Sequence, residues 1–235
     1  FFTMYLFTPY YWSHPIQSFI ETFQSAKQFP WSGNVFFLGD SISAKSIPWF
    51  YLPVWLFIST PVSYITFFLI GIILLIKQNR YNYQKNFIFY FCLSAIIIPY
   101  LFSIFLGSTL YDGWRHFYFL YSFISIITSY AIINFYNYII YKLNNPNTNY
   151  IKIGTILLIF FSQVISIFSM HPHQQVYFNF LAGKDPMTSY EGDYWGPSYR
   201  QGLEFIVNND SRDSIYIKIG NSPGSLNRHI VNEYD

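Results

Sequence analysis

Four stretches of this chain contain no Asp, Glu, Lys or Arg: Val54–Ile76, Asn86–Leu110, Phe117–Tyr141 and Ile153–Met170. The last is the shortest, at 18 residues. About 20 apolar residues in helical form cross a hydrocarbon core of ~30 Å. A buried helix of a soluble protein can look the same once, but four such stretches need a charged shell that this chain lacks. Only 10% of its 235 residues are charged, against about 25% in a soluble domain. The 52% hydrophobic content excludes intrinsic disorder, which needs low hydrophobicity and high net charge. The expected fold is an all-α polytopic membrane helical bundle of four full transmembrane helices plus a truncated one at Phe1–Tyr11. The opening Phe1-Phe2-Thr3 lacks a basic leader, so the start reads as the cut end of a membrane segment in a longer protein.

The loops orient the set. Lys77, Arg80 and Lys85 flank or lie in one connection, and Lys142 and Lys152 bound another, with no acid in either. Basic loops stay in the cytoplasm. Loops 12–53 and 111–116 and the tail 171–235 then face outward, and the tail carries eight acids against five Lys and Arg. The expected organisation is a transmembrane domain over 1–170, with spans near 1–11, 54–76, 86–110, 117–141 and 153–170, and an extracytoplasmic tail over 171–235. In the tail, Ser198–Asn209 patterns as a helix and Ser214–Gly220 alternates like a half-buried strand, the start of a small, incomplete α/β unit. The net charge of +2 points to no nucleic-acid partner, and the single Cys92 excludes an intrachain disulfide framework. The span interiors carry no ionisable carboxylate, Lys, Arg or His, which disfavours an ion-coupled transporter. Any chemistry therefore belongs at the outer surface.

The outward segments hold the candidates. Ser13–Phe29 patterns as an amphipathic helix, with Ile16, Phe19, Ile20 and Phe23 on one face, suited to the headgroup plane or to packing on other outward segments. Rings recur at Trp31, in Phe36-Phe37-Leu38-Gly39-Asp40 and in Pro48-Trp49-Phe50-Tyr51-Leu52-Pro53. They read either as an interfacial belt or as the wall of a groove for a lipid-linked sugar. Tyr111-Asp112-Gly113-Trp114-Arg115-His116 packs an acid, a guanidinium and an imidazole into six residues between two spans. Arg can grip phosphate oxygens with two parallel bonds; equally, Asp112 and Arg115 can close the turn as an ion pair. His171 and His173 would suggest a metal only with a third ligand such as Asp193, because no metal-specific spacing is present. Glu191-Gly192-Asp193-Tyr194-Trp195-Gly196 reads as a sugar-facing loop or as a turn packing its own rings.

Taken in order, Pro30-Trp31-Ser32-Gly33, Pro48-Trp49-Phe50-Tyr51, Ser59-Thr60-Pro61, the Tyr111–His116 loop, His171-Pro172-His173-Gln174, Tyr177-Phe178-Asn179 and Asp193-Tyr194-Trp195-Gly196 form a pattern. Over roughly Pro9 to Val207 it resembles the C-terminal part of polytopic bacterial glycosyltransferases of the GT-C superfamily, nearest to the protein-O-mannosyltransferase and aminoarabinose-transferase-like branch. His173 stands where that pattern has an aromatic residue.

The resemblance implies transfer of a sugar from a polyprenyl-phosphate donor to an acceptor glycan, lipid or protein on the extracytoplasmic side of a bacterial plasma (inner) membrane. The family's acidic general base lies in a first outward loop with no equivalent here, so the base is expected upstream and this piece alone is expected to be inactive. The substrate-binding candidates are Arg115, His116, Asp112, Trp49, Asp193, Tyr194, Trp195 and His171, with Arg115 and His116 at the phosphate and the sugar near the Asp193–Trp195 loop and the Trp31 and Trp49 rings. Beyond the carrier and membrane lipids no cofactor is implied. The competing expectation is a non-enzymatic protein handling lipid-linked sugars, such as a flippase or an assembly subunit.

Overall fold

Pro61 permits a break in the first apolar stretch. Proline has no N–H to give to the helix and pushes the preceding residue out of the helical region. Thr60 accordingly takes φ −108° and ψ 139°. In the computed structural model, which describes residues 2–27, 29–78, 87–143 and 148–218, Val54–Ile76 is two helices rather than one. They are α3, Tyr51–Ser59, and α4, Val62–Gln78. Upstream lie α1 (Phe2–Phe7), α2 (Pro15–Lys27) and an antiparallel hairpin of β1 (Asn34–Phe37) and β2 (Asp40–Ser43). Downstream come α5 (Phe87–Phe105), α6 (Leu120–Leu143), α7 (Thr148–Ser169) and α8 (Ser198–Asn209), with short 3₁₀ turns between.

The expectation of four full spans and a truncated fifth is corrected by these elements. Among the described residues two helices are long and apolar enough to cross a membrane, Phe87–Phe105 and Leu120–Lys142, and Val62–Lys77 is a shorter apolar helix. The supposed half-span at Phe1–Tyr11 is a six-residue helix and a separate turn, parted where Thr8 goes extended ahead of Pro9. The second apolar stretch ends short of Leu110. Gly107 sits at φ +59°, and the Ser108 N–H donates back to the Ser103 carbonyl (3.0 Å). That is a left-handed helix stop, which glycine adopts without a Cβ penalty.

The tail is corrected as well. Ser198–Asn209 is helical as expected, but Ser214–Lys218 forms no strand; Ile219 and Gly220 lie outside the described residues. The sheet is instead in the loop before α3, where the Phe36–Asp40 rings were expected as a belt or groove wall. Leu38 (φ 54°) and Gly39 (φ 87°) form its turn, the double left-handed geometry that matches the twist of paired strands.

α4 and α6 run side by side and parallel: Thr60 meets Tyr121, Tyr64 meets Ser125, and Gly71 lies against Ile127. A Cβ on Gly71 would fall 2.5 Å from the Ile127 carbonyl oxygen, so only glycine permits this approach. Lys77 and Lys142 therefore lie toward the same end of the bundle, while the loop before α6 lies at the other. Arg80, Lys85 and residues 144–147 lie outside the described residues.

The main core sits at the loop end. Val35 and Phe37 of the hairpin, Tyr51, Trp55 and Ile58 of α3, Trp114 of the loop and Tyr190 of the tail are all buried together. A smaller core of Leu75, Cys92 and Ile127 joins α4, α5 and α6. The tail is fastened by Asn179. Its Nδ2 donates to the Phe57 and Thr60 carbonyls (2.6 Å each), and its backbone N–H donates to Ile58 O (2.8 Å). These are the acceptors that a helix end leaves without partners.

The face of α2 is settled too. Ile16, Phe19, Ile20 and Phe23 lie on an exposed face. The opposite side rests on the Pro9–Tyr11 turn through Ser18 and a Tyr11 hydroxyl–Thr22 contact of 3.1 Å.

Candidate anion site at the loop end

The loop Tyr111–His116 is bent by two consecutive left-handed residues, Asp112 (φ 55°) and Gly113 (φ 68°). Such a conformation costs a non-glycine residue energy and persists only where surrounding structure holds it. Trp114 is the holding group. Its ring is buried, and its Nε1–H donates to Ser59 Oγ at the end of α3 (2.9 Å). Gly113 lies over the Trp55 ring. After this anchor a 3₁₀ turn, Arg115–Phe117, leads into α6.

The bend brings Arg115 back over its own loop. Its Nη2 pairs with Asp112 Oδ2 at 3.1 Å, the ion pair that was one of the two expectations for this motif. The pairing leaves capacity unused: Arg115 Nε is buried without a hydrogen-bond partner. The guanidinium carbon lies 4.6 Å from the Tyr111 ring centre and 4.8 Å from that of Trp195. A cation between two ring faces is attracted by their quadrupoles. Trp31 stacks behind Tyr111 at 4.4 Å, and His116 meets the Tyr111 edge at 4.9 Å. Burial, then the Arg115 charge, holds the His116 imidazole below its ordinary pKa.

Of the candidate residues, the structure gathers Asp112, Arg115, His116, Tyr194 and Trp195. Tyr194 borders Tyr118, Asp112 and Arg115, and burial raises its phenol. Asp193 is engaged differently. Its carboxylate accepts the Ser198 N–H (2.9 Å) and the Ser198 hydroxyl, fixing the start of α8, and also the Gln175 amide (3.4 Å). Trp49 is exposed, edge-on to Phe50, while its carbonyl accepts the Tyr100 hydroxyl (2.9 Å). His171 contacts Gln174, and His173 contacts Gln201 (2.9 Å). Among the described residues no group of three or more His, Cys, Asp and Glu could hold a metal.

Glu191 is the site residue that the sequence does not single out. Tyr190 bridges to Phe37 and the Glu191 N–H donates to Phe36 O (3.1 Å), so the tail lies along the hairpin edge. This carries the Glu191 carboxyl inward against the backbone N–H of Asp112 and toward the Tyr51 hydroxyl. Its Oε2 is buried without a partner, as are Tyr51 Oη and Trp55 Nε1. Burial pushes its pKa up to about 7, and the Asp112 charge adds to the rise, against the opposing pull of the Phe36 and Asp112 N–H groups. Burial likewise raises Asp112, partly offset by Arg115. The sequence names Glu191 only as one of two acids in the 191–196 loop, and nothing local shows that its carboxyl turns inward toward Asp112.

Beyond the Trp114 anchor lies a cavity of about 530 Å³. The break at Thr60-Pro61, α6 and α7 line it, with Tyr64, Tyr121, Phe160 and Ile167 among its walls, and it is open on one side. Tyr121 is shared: it lines the cavity and packs on Trp114 at 4.7 Å. The volume is typical of small-molecule sites. No family model, curated protein or solved structure matches this chain.

Proposed function

We propose that this chain is the carrier-binding part of a membrane glycosyltransferase, one that takes a sugar from a polyprenyl-phosphate donor and transfers it outside the cytoplasm. The observation that carries the reading is the juxtaposition across Trp114 and Tyr121. On one side stands an arginine between rings with a buried, unpartnered Nε; on the other, a 530 Å³ interhelical cavity without a charged residue in its lining. A molecule with an anionic head and a long uncharged tail fits that pair of environments. The phosphate meets Arg115, the sugar lies by Trp195, Tyr194 and Trp31, and the first isoprene units enter beside Tyr121. Lys77 and Lys142 lie toward the opposite end, which by the positive-inside rule supports an extracytoplasmic position for Arg115.

In chemical terms Arg115 stabilises the departing lipid phosphate, where charge grows as the glycosidic bond breaks. Charge-assisted hydrogen bonds contribute roughly 1.5–3 kcal/mol each, or about ten- to hundred-fold in rate when felt in the transition state. The acceptor's general base is expected on a loop upstream.

The test uses the full-length protein in proteoliposomes with radiolabelled polyprenyl-phosphate sugars. Arg115→Lys should keep the protein folded and inserted yet lose at least about tenfold in transfer, because an ammonium cannot replace a forked donor. A well-inserted Arg115→Lys protein with undiminished transfer and carrier affinity removes Arg115 from the site.

A further inference from the structure

Arg115 is not vacant in this structure: Asp112 occupies part of its fork. An incoming phosphate oxygen must compete with that carboxylate. Asp112 is only about one-fifth exposed and sits on a left-handed backbone, so its side chain has few places to go. The Glu191 carboxyl lies against the Asp112 backbone N–H, with Oε2 buried and unpartnered. Beside it, Tyr51 Oη and Trp55 Nε1 are also unpartnered, in residues 1% and 4% exposed.

We propose that an anion binding at Arg115 displaces Asp112 toward Glu191, and that the two carboxyl groups then share one proton taken up from solvent. The inference rests on the carrier-phosphate reading of the same site. The balance is simple. Arg115 exchanges one carboxylate oxygen for one phosphate oxygen, and no covalent bond forms or breaks. One proton enters the carboxyl pair when Glu191 was ionised beforehand, and none when it was already protonated. Two adjacent buried carboxylates cannot both remain ionised; a shared proton turns their repulsion into a hydrogen bond.

The groups that face Glu191 are few. Asp112 comes from the loop, with Arg115 behind it. Tyr51 and Trp55 come from α3, the Phe36 N–H from the hairpin, and Tyr194 flanks the Asp112–Arg115 pair from the tail. Asp112 is the charge that acts directly on Glu191, and like Glu191 it is an acid. Arg115 is therefore the cation from which the anion must displace it. Glu191 is thus a positioning residue: it receives the carboxylate that must leave Arg115.

The sign follows from linkage. Glu191 is raised from its ordinary value to about 7, and a bound anion raises it further. Binding is then strongest below that value and weakens as pH rises through it. The probe is methyl farnesyl phosphodiester, whose single charge is fixed across this range, so it contributes no titration. Binding to the full-length protein in detergent micelles is measured by calorimetry, in pairs of buffers that differ in ionisation enthalpy.

The wild type should lose about tenfold in affinity between about pH 6 and about pH 8, and should take up close to one proton per probe at the upper end. Glu191→Gln should bind with a nearly flat pH profile and no uptake. An infrared difference spectrum of the wild type at the higher pH should gain a protonated-carboxyl band on probe binding, a readout that needs no variant to fold. Arg115-dependent binding with a flat profile and no such band overturns the inference and leaves the parent reading intact. Failure of the probe to bind at any pH, or binding untouched by Arg115→Gln, overturns both.

Discussion

Two apolar stretches each carry a central proline, and they fold differently. At Pro61 the chain breaks into α3 and α4, with Thr60 extended between them. At Pro99 the helix continues, and α5 runs from Phe87 to Phe105 with the proline inside it. The lost N–H and the ring clash are common to both. What differs is the neighbourhood. The break at Pro61 is met by Asn179 from the tail, by Trp114 from the loop through Ser59, and by the Tyr121 hydroxyl on Thr60 Oγ1 (2.8 Å). The Phe57, Ile58 and Thr60 carbonyls all find partners on Asn179, which stabilises the open backbone. Around Pro99 the helix is mostly exposed. Opening it there would leave backbone carbonyls without protein partners, and an unpaired backbone group away from water costs free energy comparable to a lost hydrogen bond. A proline thus permits a break, and the surrounding partners decide whether one forms.

The sharpest way to break this comparison is Asn179→Ala. It removes two short side-chain bonds to α3 and strands buried carbonyls, and each such loss costs roughly 1–3 kcal/mol. Denaturant titration in detergent should show about 3 kcal/mol of lost stability, with protease nicking first between α7 and α8. An unchanged midpoint would mean that the break is held by something other than the tail.

Gly71→Ala tests the helix pair that the break positions. Its new Cβ must push the Ile127 backbone away, so a loss of about 2 kcal/mol is expected, the cost of overpacking a close contact. Tolerance of alanine there would show that α4 can slide on α6.

Pro61→Ala should cost less, about 1 kcal/mol, because the partners remain and mainly unfolded-chain entropy changes. Backbone amide exchange at Thr60 and Val62 should stay fast. Strong protection there, reporting a continuous helix from Tyr51 to Gln78, would show that proline alone made the break. The smallest loss belongs to Pro99→Ala, which should cost nothing and should raise stability by up to about 3 kcal/mol, because it restores the missing N–H and removes the ring clash inside a continuous helix. A large loss would reveal a partner to the Pro99 bend equivalent to Asn179.

Local signals served well where the physics is local. The apolar runs became helices, the Ile16–Phe23 spacing became the exposed stripe of α2, and the Gly113 turn with its Asp112–Arg115 neighbours formed as a compact ionic loop. They failed where a distant segment intervenes. Charge-free length suggested four spans, but the first was cut by a proline whose break depends on Asn179, far along the chain. The hairpin strands are four residues each, too short for an alternation to show, and Leu38 is not a residue that advertises a left-handed turn. The isoleucine alternation at Ser214–Lys218 found no neighbouring edge to pair with among the described residues and formed no strand.

The sequence by itself determined that this chain is built largely of apolar helices with acid-free basic residues flanking two of their connections, because hydrophobicity and charge are carried residue by residue. It also determined the ionic loop, whose acid and guanidinium lie within one turn. Only the tertiary structure decided that Glu191 reaches Asp112, that Trp195 covers Arg115 and that Trp114 and Tyr121 stand between the loop and a cavity. Those contacts join the tail, the loop, α3 and α6 across long stretches of chain. They exist because burying the Tyr190, Trp55 and Phe37 rings together outweighs the entropy of closing the long loops between them.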